Sequence, residues 1–219
     1  MEGRPVYYQK VIIRSIYRER EKEIMDPVNI LLAINLFVTF AANLGGAKKG
    51  LKTSLTAVKE KPKTFLQKLP LNVSAVILLL IILSVFQLGT LDYNKYSSLF
   101  SLRILGLAVY VFFSWFQIWA YRAMGENFAQ DIVILKNHQL VTSGPFRFIR
   151  HPQYLGQILS DLGASLALLS YIALPLVLFL EIPLFIMRAY EEEKLLERHF
   201  GERFSSYRKK SGFLLPFLG

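Results

Sequence analysis

The sequence predicts an all-α integral membrane protein with about five transmembrane helices. Apolar residues are gathered into long runs, basic residues cluster between those runs, and cysteine is absent. Of 219 residues, 53% are hydrophobic and 14% aromatic, and the mean hydropathy is +0.36. About 20 apolar residues in a helix span a bilayer core of roughly 30 Å. Pro27 to Leu44 is the first such run, softened by Asn29, Asn35 and Asn43. Leu71 to Leu88 holds no charge, and Leu99 to Tyr121 holds only Arg103. From Leu155 to Met187 the chain stays apolar too long for one crossing, interrupted by Asp161, Pro175, Glu181 and Pro183. This stretch reads as a helical hairpin turning near Ser170 to Ala173, which brings the crossings to five.

The first run starts after 26 residues that include five acidic ones, and no small-x-small cleavage site precedes a soluble domain. It therefore reads as a transmembrane helix rather than a signal peptide. Residues 1–26 are expected to form an amphipathic segment in the membrane interface, with a helix from about Val6 to Ile24. Residues 27–121 hold the first three spans and a basic loop at 45–70. Residues 122–219 hold the hairpin at 155–187 and a polar tail. The 45–70 loop carries Lys48, Lys49, Lys52, Lys59, Lys61, Lys63 and Lys68 against Glu60 alone. The positive-inside rule puts this loop, the segment from Arg122 to Gln153 and the tail in the cytoplasm. Lysines beside membrane spans account for the net charge of +10, so nucleic acid is not an expected partner.

Several chemistries are excluded. Without cysteine there is no disulfide framework, thiolate nucleophile or thiolate metal site. The string GGAKKGLKT resembles a phosphate loop, but Leu51 stands where the loop's lysine must follow the second glycine. His138, His151 and His199 lack the spacing of a zinc site, so no metal is expected. No GxGxxG follows a strand, which argues against a Rossmann domain.

Two stretches carry the polar chemistry. The first, His138 to Gly156 (HQLVTSGPFRFIRHPQYLG), lies between the third and fourth spans. It gathers His138, Thr142, Ser143, Arg147, Arg150, His151, Gln153 and Tyr154. Gly144-Pro145 signals a turn, and Pro152 suits the first turn of the fourth helix. The second, Arg188 to Gly201 (RAYEEEKLLERHFG), continues the fifth helix out of the membrane. Arg188 and Glu192 are four apart and share a helix face. They read either as a surface salt bridge or as a cation and carboxylate at the mouth of a site. Glu191, Glu193, Lys194 and Arg198 read as solvated charges, and Asp161 and Glu181 as a pair locking the hairpin.

These strings together resemble the isoprenylcysteine carboxyl methyltransferase family. The resemblance rests on H-x-L-V-x-x-G-[YF]-x-x-x-R-H-P-x-Y, a hydrophobic hairpin, R-x-x-x-E-E and F-G-x-x-[YF]-x-x-Y, here FGERFSSY, from about Asn127 to Pro216. It implies a methyltransferase dependent on S-adenosylmethionine, with that cofactor bound by the loop before the penultimate helix and by the last helix. By the resemblance His138, Gln139, Leu140, Val141, Phe146, His151, Pro152, Gln153, Tyr154 and Glu192 bind the cofactor. Arg188 contacts the substrate and, with Glu192, forms the catalytic pair. Phe146 stands where the family usually has tyrosine. The implied partners are the bilayer and a lipidic or small amphiphilic methyl acceptor, with the acceptor atom (oxygen, nitrogen or sulfur) open. R-H-P-x-Y by itself also occurs in sterol-reductase-like proteins using a nicotinamide cofactor and in phospholipid methyltransferases, so these readings stand as alternatives.

Overall fold

The structure is a computed structural model that describes residues 26–56, 58–216 and 218, with only the backbone course described over 45–56. The expected interfacial helix within 1–26 lies outside the described residues, apart from Asp26 at its end. Five apolar helices follow: α1 (Pro27–Thr56), α2 (Leu69–Val85), α3 (Phe100–Met124), α4 (Pro152–Ala167) and α5 (Ala173–Phe200). A short polar helix, α6 (Glu202–Arg208), follows α5. Two short antiparallel strands, β1 (Val58–Glu60) and β2 (Ile134–Leu135), tie the segment after α1 to the segment after α3.

Among the described residues, four segments are long and apolar enough to cross a membrane: those starting at Pro27, Phe65, Ser97 and Ala173. Their large side chains point outward, with Phe37 74% and Phe179 75% exposed, as expected of faces covered by lipid rather than water. The remaining apolar helix, α4, has 16 residues and is mostly buried, because it is the central strut that the others surround. The expected basic loop begins as helix: α1 runs on to Thr56, so only the part beyond it is extended.

Small and amide side chains bring the helices together, as they must where lipid removes the hydrophobic drive for association. At Gly106 on α3, a Cβ would lie 2.6 Å from the Ala167 nitrogen. At Gly163 on α4, a Cβ would lie 2.6 Å from the Tyr110 nitrogen. Only glycine permits that approach. The asparagines of the first run are the polar joints of α1: Asn29 donates to the Val85 carbonyl, and Asn35 donates to Ser114 while accepting from Trp115.

The hairpin turns after Ala167, with Leu169 at φ +51° and a bridge between Thr90 and Ser170. Pro183 lacks an N–H and crowds the preceding turn. The helix answers with a π-helical turn over Val177–Glu181, which carries Glu181 into the interior at 0% exposure. There Glu181 accepts from Ser74 at 2.6 Å, which ties α5 to α2, while Asp161 accepts from Gln157 at 2.7 Å within α4. The expected pairing of the two carboxyl groups across the hairpin is not among the hydrogen bonds of the described residues.

Candidate active site

Residues 58–68, 125–151 and the tail converge at one end of the bundle, where α5 leaves it. The Arg188 guanidinium joins the first two of these. Nη1 donates to the carbonyls of Leu66 at 2.6 Å and Gln67 at 2.9 Å, and Nη2 donates to the Gln130 carbonyl at 2.7 Å. Nε donates to the Tyr154 hydroxyl at 3.0 Å, and that hydroxyl donates to Glu192 Oε2 at 2.6 Å. Arg188 and Glu192 thus share a face as expected, but tyrosine stands between them. Four of the five guanidinium N–H groups are committed to described residues, leaving one hydrogen on Nη2. A free fork for a substrate carboxylate is not what this arrangement presents. Arg188 instead holds two loops and the Tyr154–Glu192 pair in register.

Glu193, expected as a solvated charge, is 5% exposed. It accepts from Arg150 Nε at 2.5 Å and faces His151 Nε2 at 3.2 Å. Helix periodicity explains the difference: Glu192 and Glu193 lie about 100° apart on α5, and each meets a different partner from the R-H-P-x-Y segment. Arg150 also donates to the carbonyls of Arg208 and Ser211, pinning the tail, while Gly212 and Phe213 accept from the Arg150 and His151 nitrogens. Arg150 and Glu193 therefore position the site.

Two cavities flank this core. The first, about 60 Å³, is lined by His138, Gln139, Leu140, Val141, Phe146, His151 and Glu192 among others. The second, about 400 Å³, is lined by Gln153, Tyr154, Arg188 and Glu192, with Ser74, Gln117 and Gln157 behind them. Glu192, Asp131, Met124 and Ala129 border both. The residues expected to bind one ligand are thus divided. Pro152 lines neither cavity and serves as the first residue of α4. Ser143 and Arg147 also line neither. Asp131, Gln117, Gln157, Leu195, Phe204 and Tyr207 are lining residues that sequence reasoning missed. The FGERFSSY string held a signal for the last two, since it places Phe204 and Tyr207 one helical turn apart.

The first cavity is rich in acceptors. His151 is 1% exposed and stacks on Tyr154 at an interplanar angle of 1°, its Nδ1 bears no hydrogen-bond partner, and Glu192 Oε2 is 3.8 Å from that nitrogen. His138 Nδ1 accepts from the Leu135 nitrogen at 3.3 Å, which assigns the ring hydrogen to Nε2. Burial holds the His138 ring below its ordinary pKa, with Glu192 acting in the opposite sense. Burial likewise pushes the Tyr207 hydroxyl up to about 12, and it donates to the Phe146 carbonyl at 2.7 Å. Phe146 itself is 5% exposed and offers a ring edge without a hydroxyl.

Residues 104–198 match the isoprenylcysteine carboxyl methyltransferase (ICMT) family. Over that stretch the chain is similar to those methyltransferases. Among curated relatives, protein-S-isoprenylcysteine O-methyltransferase of Tribolium castaneum is 30% identical over 96 residues, 43% of this chain and 34% of that protein. The enzyme of the same name from Xenopus laevis is 30% identical over 135 residues, 61% of this chain and 47% of that one. The chain spans about half the length, or less, of the curated relatives it matches. The fold matches the structure of the eukaryotic intramembrane Ras methyltransferase ICMT with a TM-score of 0.60 and 22% identity, over 89% of this chain and 70% of that chain. The family match covers most of α3, the loop after it, α4 and α5 up to Arg198; outside it, α2 adds Leu71, Ser74 and Leu78 to the second cavity and α6 adds Phe204 and Tyr207 to the first.

Proposed function

We propose that this chain is a membrane-embedded methyltransferase that uses S-adenosylmethionine to methylate a lipidic or small amphiphilic acceptor. The observation that carries the reading is the pair of cavities meeting at Glu192, one small and lined by the loop before α4 together with α6, the other larger and set among the helices. Two-substrate chemistry needs two sites that share a wall where the reacting atoms meet.

The residues of the first cavity suit the cofactor. The orphaned His151 Nδ1 and the Glu192 carboxylate offer two acceptors for a ligand rich in hydrogen-bond donors and positive charge. His138 Nε2–H offers a donor, and Phe146, Leu195, Leu196 and Phe204 offer an apolar surface for a base. S-adenosylmethionine supplies an electrophilic methyl group on a sulfonium. The chain's residues align and balance charge. Tyr154 donates to Glu192 and fixes its carboxylate, and Arg188 fixes Tyr154 in turn. Glu192, at the shared wall, attracts the cofactor's positive charge and would hold the sulfonium where the two cavities meet, so it serves the transfer through alignment. Glu192 and Arg188 thus form a catalytic pair, with Arg188 offering its last N–H to the acceptor side. About 60 Å³ holds only a few waters, so the loop at 136–143 must move outward to admit the cofactor.

The converging end is assigned to the cytoplasm by its lysines. The test is a thermal shift of the detergent-solubilised protein with S-adenosylmethionine, together with transfer of labelled methyl to lipid acceptors. Stabilisation by NADPH instead would favour the reductase alternative. Hydrogen exchange at 136–143 should slow when the cofactor binds. Lys59→Cys and Lys210→Cys should label only from the cytoplasmic side, and labelling from outside would reverse the topology.

A further inference from the structure

Among the described residues, four border both cavities: Met124, Ala129, Asp131 and Glu192. Two of the four are acidic and none is basic, so the boundary between the voids is a favourable place for a positive charge. Glu192 has its place in the reaction proposed above, and Asp131 has none. Asp131 Oδ2 accepts from Lys61 Nζ at 2.5 Å. The ordinary reading of that ion pair is a brace between the segment after β1 and the segment before β2. Two observations make such a brace redundant. The backbone on both sides of Asp131 is held without it. The Gln130 carbonyl accepts from Arg188 Nη2 at 2.7 Å, and the Ile132 N–H and C=O are both bonded to the buried Gln67 carboxamide at 2.9 Å. The pair is also open to solvent, with side-chain exposures of 42% for Lys61 and 21% for Asp131, and exposed pairs contribute little to stability. The loop thus presents a carboxylate at a fixed point of the shared wall, with a long, solvated lysine resting on it.

We infer that Asp131 is a further cofactor-binding residue whose carboxylate receives the sulfonium charge beside Glu192, and that Lys61 is its counter-ion only while the site is empty. Lys61 is then a built-in competitor for the cofactor. The reacting methyl must lie where the cavities meet if it is to reach an acceptor in the second, so the charge it rides on comes to the boundary. Lysine carries a compact, strongly hydrated charge on a flexible stem, so Lys61 can return to water when that charge arrives.

This inference rests on the methyltransferase reading, so binding and transfer are measured separately. The probes are S-adenosylmethionine, which carries the sulfonium, and S-adenosylhomocysteine, which lacks only that methyl and its charge. Affinities for the detergent-solubilised protein come from calorimetry, and transfer is followed with labelled S-adenosylmethionine and lipid acceptors. Asp131→Asn should weaken S-adenosylmethionine about tenfold and S-adenosylhomocysteine no more than about twofold. The second ligand is thereby the control for folding. Lys61→Met should act in the opposite direction, strengthening S-adenosylmethionine about threefold and leaving S-adenosylhomocysteine unchanged. It should have no effect once Asp131→Asn is present, because the two changes act on one interaction. A brace predicts the same sign for both variants and equal losses for both ligands, and that result overturns the inference. So does Asp131→Asn with the wild-type ratio of the two affinities, or Lys61→Met with both affinities unchanged. Sulfonium binding that depends on Asp131, without any methyl transfer, upholds the inference and sinks the methyltransferase reading. Transfer with an unchanged ratio in Asp131→Asn does the reverse. Binding of neither ligand by wild type removes both.

Discussion

The bundle buries an arginine near each end, and the two are used differently. Arg103, 3% exposed, meets both oxygens of Asp26 at 2.6 and 3.1 Å, the Asn29 carboxamide at 3.0 Å and the Ala167 carbonyl at 2.9 Å. Its charge is neutralised on the spot by a two-pronged carboxylate, and neither cavity borders it. Arg188, 2% exposed, also commits four N–H groups, but to three backbone carbonyls and a tyrosine hydroxyl. Among the described residues no carboxylate pairs with it directly. Its nearest route to a negative charge passes through Tyr154 to Glu192, on the wall of a cavity of about 400 Å³. Burial by itself therefore does not mark a functional arginine. The distinguishing feature is whether its surroundings close the account locally or leave groups open toward a void.

Removing Arg103 should have the largest effect. Arg103→Ala strands Asp26 in a buried site, and breaking a buried pair from one side costs about 3–5 kcal/mol. Unfolding in detergent should show that loss, while the fraction that stays folded binds S-adenosylmethionine normally. A change in cofactor affinity would mean that the two ends are coupled and that the contrast drawn between them is false.

Arg188→Lys should be nearly as damaging, but to turnover. Lysine keeps the charge and loses the planar array that spans Leu66, Gln67, Gln130 and Tyr154. An error of about 1 Å in alignment costs on the order of a hundredfold, so single-turnover methyl transfer should fall by about that factor with a smaller change in cofactor affinity. Normal turnover would reduce Arg188 to a second copy of Arg103.

Glu192→Gln comes next. Hydrogen bonds to charged groups contribute about 1.5–3 kcal/mol, so cofactor affinity should drop roughly tenfold or more while Tyr154 retains an acceptor. Unchanged affinity in a folded variant would remove the carboxylate from the cofactor wall.

The smallest effect is a pH dependence at His138. Burial lowers its folded-state pKa, so the unfolded chain takes up the proton first. Stability is then complete above the ordinary histidine value of about 6.5 and is lost as the pH falls below it. The melting temperature of wild type should drop more between pH 7.5 and 5.5 than that of His138→Gln. Parallel profiles would show that the ring does not hold the Leu135–His138 turn in its neutral form.

Much of the membrane architecture was legible in the chain, and the reasons are local. Uncharged runs long enough to span a bilayer can do little else, and the hairpin turn near Ser170 followed from a run too long for one crossing. The length of α1 was not legible. Its lysines read as a loop, yet the helix continues to Thr56, since composition does not say where a helix stops without a cap or a breaker. The Asp26–Arg103 pair was also hidden, because its members are 77 residues apart.

The site divides along the same line. The motif strings sufficed to place His138, Phe146, His151, Tyr154, Arg188 and Glu192 together at one end of a helical membrane scaffold, because one loop and one helix end carry them all. Only the tertiary structure decided which wall each residue joins. Adjacent residues at a helix start point in different directions, so His151 turns to the first cavity while Gln153 and Tyr154 turn to the second. Neighbours on α5 likewise part, Glu192 toward the void and Glu193 into the Arg150–His151 lock. Spacing along one helix sets such directions relative to each other. What lies in each direction is set by segments 34 or more residues away along the chain, which is a property of packing and not of any local string.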